Sequence, residues 1–302
     1  MNFTLGSDPE LMLRNKETKK LVSAIPIIRE GKGKGRALDD SGENTVLHDN
    51  ALVEVNTKPA KSMKEFVETI AFVLRETNEI VQKKGLELHL QSSADYPEEE
   101  LQDEEAKRFG CEPDFNAWLL EINDIAADAA EKPFRSAGGH LHIGTAKGEP
   151  KLNAILKDDY GKVDVVKALD LFVGLVSVFL DKDETAPARR ALYGGAGAHR
   201  PKPYGVEYRA VGNWWLRSPA HTELVYKLTE AALTVLVDGK LPKLLGQVKE
   251  ARIQRVINKS DVKDAKTLYL KYLTPHLSKE LVGEVSQLDA KADVPFLKSW
   301  GI

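Results

Sequence analysis

The chain has a single cysteine, Cys111, among 302 residues. One thiol excludes an internal disulfide framework and any cysteine-built zinc cluster, and it fits a reducing compartment. No activating partner stands near it in sequence, so Cys111 is expected to be a buried structural thiol rather than a nucleophile. No apolar run comes near the roughly 18 residues that a membrane-spanning helix needs. Nor is a signal pattern visible, because the chain opens Met-Asn-Phe-Thr-Leu and reaches Asp8 almost at once. Basic residues are not in excess. There are 43 Lys+Arg against 46 Asp+Glu, a formal charge of −3, which argues against a generic nucleic-acid binder. Internal repeats and low-complexity tracts are also missing. What is there is ordinary globular material, 42% hydrophobic and 29% charged, sufficient for one large domain or two modest ones.

Periodicity places the elements. Residues 3–13 read as a strand broken near Gly6-Ser7, and 51–57 as a strand ended by Pro59. Further strands are expected at 86–91, at 136–144 (entered through glycines) and at 206–211. Ser62 and Glu65 form a capping box ahead of a helix to about residue 84, with Phe66, Ile70, Val73 and Leu74 in its apolar stripe and Gly85 as its stop. Residues 164–181 predict a helix apolar nearly all round, hence a buried one. Residues 150–162 predict a loop or hairpin, and 186–205, dense in Gly, Pro and Arg, a loop. Ser218-Pro219 starts a helix to about 237, with helical stretches at 241–258 and 264–275 and weak patterning over 278–302. The connections are too irregular for βαβ units, so the expected class is α+β, a largely antiparallel sheet packed with helices.

Four of these strands carry polar groups two residues apart: Asp8/Glu10, Glu54/Asn56, His140/His142 and Glu207/Arg209. Residues i and i+2 of a strand share a face. A face packed on helices should hold Val, Ile or Leu there, since buried polar pairs cost desolvation unless compensated. If the strands are neighbours, four carboxylates, two imidazoles and a guanidinium converge. Carboxylates that close repel and raise one another's pKa values, and a divalent cation removes the difficulty. Carboxylates with one or two His suit Mg²⁺ or Mn²⁺. Taken singly, Asp8/Glu10 and Glu54/Asn56 also fit solvated strand faces, Glu207/Arg209 a salt bridge, and His140-x-His142 a zinc site. The preceding loop offers Arg189, Arg190 and Arg200 among glycines, a composition suited to anions. The GKGKGR segment at 31–36 is not a Walker A loop. Trp214 and Trp215 are expected in packing, and His48, His89, His199, His221 and His276 belong to no motif.

The stretches GSDPEL (6–11), EVNTKPA (54–60), GGHLHIG (138–144) and RR-x-x-YGGAG-x-x-R (189–200) running into GVEYR (205–209) resemble the phage phiEco32-like COOH–NH2 ligases, type 2. That family belongs to the glutamine synthetase-like superfamily of carboxylate–amine ligases. The resemblance spans about residues 3–217. It implies a glutamine synthetase-like catalytic fold, in which an antiparallel sheet lines a funnel for ATP and Mg²⁺ or Mn²⁺. By the same resemblance Asp8, Glu10, Glu54, His140 and Glu207 would bind metal. His142, Arg200, Arg190 and Arg189 would face the nucleotide, and Arg209, Arg200 and Glu54 would act in catalysis. Asn56, Arg209 and Asn213 would meet substrate.

The implied reaction is ATP-dependent amide formation through an acyl phosphate, on small-molecule or peptide carboxylates and amines, with neither nucleic acid nor membrane as partner. The expected location is the cytoplasm, that of the host if the chain is phage-encoded. Residues 1–217 would form the catalytic core and 218–302 a C-terminal helical region packed on it, with 29–36 and 189–205 as candidate lids. Three rivals remain: a phosphagen-type guanidino kinase on the same fold, a metal-dependent hydrolase using His140 and His142, and a non-enzymatic virion or scaffold protein.

Overall fold

The computed structural model describes residues 1–302 apart from 32, 34, 108–113, 124–132 and 292–293. Cys111, and with it the expectation of a buried thiol, lies outside the described residues. Eight longer strands organise the protein: β1 (Phe3–Ser7), β2 (Glu10–Asn15), β3 (Thr45–Asp49), β4 (Leu52–Asn56), β5 (Leu86–His89), β6 (Leu141–Thr145), β7 (Ala198–Lys202) and β8 (Gly205–Tyr208). One sheet has the order β1-β6-β8-β7 and continues into the short strands Phe115–Asn116 and Glu121–Ile122. In a second sheet β2 lies between Leu21–Val22 and β4, β3 follows β4, and β5 pairs with β2. Every pairing among these strands is antiparallel, as the α+β expectation required.

The two sheets meet where the first strand breaks. The break falls at Asp8-Pro9, two residues later than the glycine in the sequence suggested, because Pro9 has no N–H to give to a ladder. Around it the chain stays paired. Val55 N–H donates to the Pro9 carbonyl (3.1 Å), Thr57 N–H to the Ser7 carbonyl (2.9 Å), and Leu5 and Ala60 exchange both backbone bonds. β4 and its continuation therefore run beside both β1 and β2 and join the sheets.

Alternation along the strands separates two faces. Leu5, Leu141, Ile143, Val206 and Tyr208 are fully buried toward the helices. Behind them a continuous helical run, 159–180, includes a π-turn at Asp170–Gly174. Tyr208 OH donates to the Asp170 carboxylate (2.7 Å), fixing β8 on that helix. The helices Met63–Gln82 and Pro219–Val237 pack on each other and complete the layer. Trp214 and Trp215 are core residues, 1% and 0% exposed.

Three segments depart from the sequence reading. Residues 150–157 are helical, with Pro150 in the first turn and Leu152 and Leu156 buried. Residues 186–205 are not one loop. They form the helix Ala186–Leu192 and the strand β7. Within 278–302, Ser278 caps the helix Lys279–Ala290, which buries Leu281, Val285 and Leu288. In each case the apolar stripe is only two or three residues long, too short to stand out from composition.

Candidate active site

Strand register builds one row of side chains across the first sheet. Gly6 lies opposite His142, His142 opposite Glu207, and Glu207 opposite Arg200. Residues two further along the same faces are Asp8, His140, Arg209 and Lys202. The Gly138-Gly139 turn brings His140 under the row, because a side chain at 138 would collide with the His140 ring and one at 139 with the Gly212 carbonyl. Only glycine permits that approach.

Glu207, 1% exposed, is gripped by cations. Lys202 Nζ lies 2.8 Å from Oε2, Arg200 Nη1 3.3 Å from Oε1, and Arg209 Nη1 donates to Oε1. His140 Nδ1 stands 3.8 Å away. Burial and Asp8 push the Glu207 carboxyl up, but His140, Arg209 and His142 bring it down to about 2. Asp8 Oδ1 lies 3.2 Å from His140 Nδ1 and 3.1 Å from His142 Nε2. Burial would raise this carboxyl too, yet the two imidazoles hold it well below the ordinary range. Burial and then Arg209 push the His140 imidazole down to about 4. For His142, Asp8 and Glu207 outweigh burial and raise it.

A second cluster sits where β2, β4 and β3 run side by side. Glu10 is the register partner of Glu54, and Asp49 ends β3. One oxygen from each of Glu10, Asp49 and Glu54 lies within 4.8 Å of the other two. Gly138 N–H donates to Glu10 Oε2 (2.5 Å) and Asn56 Nδ2 to Glu54 Oε1 (3.0 Å). Burial, then Asp49, pushes Glu10 up to about 7. Burial, then Asp8, Asp49 and Glu10, carries Glu54 well above its usual range.

These features fit divalent cations. Asp8 Oδ1 and His142 Nε2 are buried without a hydrogen-bond partner, since their 3.1 Å approach is not aligned as a hydrogen bond. Atoms of Asp8, His142 and Glu207 also lie within 4.8 Å of one another. Orphaned buried polar atoms are costly, and crowded carboxylates hold protons unless a cation joins them. Oxygen-rich donor sets with one imidazole suit Mg²⁺ or Mn²⁺.

The profile of the family described as phage phiEco32-like COOH.NH2 ligase-type 2 matches residues 5–97 and 121–252. The chain belongs to this family. The matched stretches hold Asp8, Glu10, Asp49, Glu54, His140, His142, Arg200, Glu207 and Arg209, and they run past residue 217 into the C-terminal helices. Among solved structures, one described as a novel glutamine synthase homolog aligns at 10% identity over 95% of this chain and 71% of its own, with a TM-score of 0.36. No curated protein matches the chain.

Of the family residues read from the sequence, Asp8, Glu10, Glu54, His140, His142, Arg200, Glu207 and Arg209 line the two connected clusters described above. Arg189 and Arg190 do not face it. The chain folds them into the helix Ala186–Leu192, where Arg189 (2% exposed) donates to the carbonyls of Arg209 (3.0 Å) and Ala210 (3.3 Å). Arg190 donates to the Ser177 carbonyl and Ser260 Oγ and lies 3.6 Å from Asp181. Arg189 thus braces backbone, and Arg190 ties backbone, Ser260 and Asp181 together. Asn213, expected at substrate, is 1% exposed and donates to the Glu10 carbonyl (2.9 Å), so it holds β2. Asn56 orients Glu54.

Four residues went unread. Asp49 ends a strand missing from the sequence reading, although TVLHD-NA-LVEVN is a hairpin pattern and Asn50 takes φ +57° at its turn. Lys202 was hidden in a presumed loop. Tyr204 hydrogen-bonds to His142 Nδ1. Asp114 Oδ2 lies 3.5 Å from Arg209 Nε, in a stretch without a motif.

Proposed function

We propose that this ligase couples ATP cleavage to amide formation between a carboxylate and an amine. What supports this most is the charge distribution of the site. Glu10, Asp49 and Glu54 form an anionic end, and Arg200, Lys202 and Arg209 a cationic end, with Asp8, Glu207 and the two imidazoles between. A metal-bound triphosphate carries the matching pattern. Asp8, Glu10, Glu54, His142 and Glu207, with Asp49, would hold Mg²⁺ or Mn²⁺, and His140 lies close enough to join them. When bound, the cations neutralise phosphate oxygens and favour attack at phosphorus.

In the proposed reaction a substrate carboxylate oxygen attacks the γ-phosphorus, the bridging P–O bond breaks and ADP leaves. The amine nitrogen then attacks the acyl phosphate carbon, the C–O bond to phosphate breaks, and the amine loses a proton. Arg200, Lys202 and Arg209 would orient the phosphoryl oxygens and offset their charge. Arg189 holds the Arg209 and Ala210 carbonyls and so keeps the guanidinium of Arg209 aimed at the site. Acids and amines that are small molecules or peptides would be the substrates. Among the described residues no helix is long and apolar enough to cross a membrane.

The test is ADP release against a matrix of carboxylic acids and amines, with Mg²⁺, beside Glu54→Ala and His140→Ala. Release that needs both substrates, and fails in Glu54→Ala, is the expected result. Absence of nucleotide binding by calorimetry would remove the proposal. A phosphorylated guanidine formed without amide would replace it with a kinase.

A further inference from the structure

Tyr204 sits in the turn between β7 and β8, 49% exposed, and meets His142 twice. Its hydroxyl is hydrogen-bonded to Nδ1, and the two rings lie 6.0 Å apart at 27°. The backbone is built for that approach. Gly205 has φ +153°, and a side chain there would collide with the Ile143 carbonyl. Gly205 faces Gly144, where a side chain would collide with Thr4 Oγ1. The backbone at Gly205 thus lets the hairpin seat a phenol over the imidazole. The opposite nitrogen, Nε2, is the buried atom without a hydrogen-bond partner, 3.1 Å from Asp8 Oδ1.

A neutral imidazole has one donor and one acceptor nitrogen, and the hydrogen bond at one nitrogen selects the role of the other. A phenol oxygen that accepts from Nδ1–H leaves the Nε2 lone pair toward Asp8 and Glu207. Such outer partners orient metal-bound imidazoles and raise their basicity.

We propose that Tyr204 is a positioning residue for His142, fixing the tautomer and ring orientation that present Nε2 to a divalent cation held with Asp8 and Glu207. This rests on the reading that those three residues bind such an ion. Tyr204 acts through the ring.

The experiment is Mn²⁺ titration of the full chain by electron paramagnetic resonance, with spin-echo modulation to detect a ligating imidazole nitrogen. Four proteins are compared: wild type, Tyr204→Phe, His142→Gln and the double variant. Tyr204→Phe should weaken the imidazole-coordinated ion about tenfold and leave the thermal midpoint unchanged. His142→Gln should remove the part of the nitrogen modulation that His142 contributes, leaving at most that of His140, and adding Tyr204→Phe to it should cost nothing more, as residues acting through one another are not additive. Wild-type affinity in Tyr204→Phe would overturn the assignment, as would an equal further loss in the His142→Gln background. If wild type shows no imidazole-bound Mn²⁺, the metal reading fails first and takes the assignment of Tyr204 with it.

Discussion

Asp49 was the acid that sequence spacing did not find, and it is the residue that turns a facing pair into a three-sided carboxylate cluster. Glu10 and Glu54 stood out because each belongs to an i, i+2 polar pair. Asp49 has no such companion, since the positions two away are Leu47 and Ala51. Asp49→Asn should weaken Mn²⁺ binding at that end by at least tenfold, with little change in melting temperature, as read by calorimetry and thermal denaturation.

A different acid governs stability. Asp170 is fully buried, accepts from Trp118 Nε1 (2.6 Å) and Tyr208 OH (2.7 Å), and is pushed by burial up to about 7. Its folded pKa lies above the unfolded value near 3.8, so the folded state binds more protons between the two. Its contribution is greatest below about pH 4 and is lost as pH rises through about 7, on the order of 4 kcal/mol in all. Asp170→Asn should flatten that slope, seen as a smaller drop in denaturation midpoint between pH 5 and pH 8.

At the scale of elements, legibility followed the strength of the local signal. Met63–Gln82 was readable end to end because Ser62 Oγ accepts from Glu65 N–H (3.2 Å) and Gly85 takes φ +73°. Even there the box is shifted by one residue, with the Glu65 carboxylate accepting from Lys61 N–H (2.9 Å). Ser62→Ala should cost about 1 kcal/mol in urea denaturation. The 186–205 stretch was illegible for the opposite reason. Its glycines and prolines punctuate a short helix and a strand, and Arg189 and Arg190 find their partners on Ser177, Arg209, Ala210 and Ser260, far along the chain. Local composition holds no trace of such contacts. The helix pair at 241–258 is divided at Lys249, whose φ of +75° is strained for a residue with a Cβ. Lys249→Gly should therefore raise stability by about 1 kcal/mol, measured in the same denaturation series.

At the scale of the molecule, one hydrophobic core includes Phe3, Phe66, Leu141, Phe172, Leu228, Leu268 and Trp300. Tyr226 packs its ring 4.9 Å from Phe3 and 6.1 Å from Phe66, so the helix Pro219–Val237 contributes to the same interior as the first strand. A fragment of residues 1–217 should accordingly show no cooperative thermal transition by circular dichroism, because its sheet would expose the surface that this helix covers.

Pro9 places two like-charged strands, the one bearing Glu10 and the one bearing Glu54, against each other at the join between the sheets. That join resembles a zip whose slider is an ion. Without one, Glu10 and Glu54 must either hold protons or repel, and the Val55 and Thr57 amides should exchange with deuterium sooner than those of β6 and β8. Loading with manganese ought to close the difference, so the rigidity of this join would be set by what is dissolved around it.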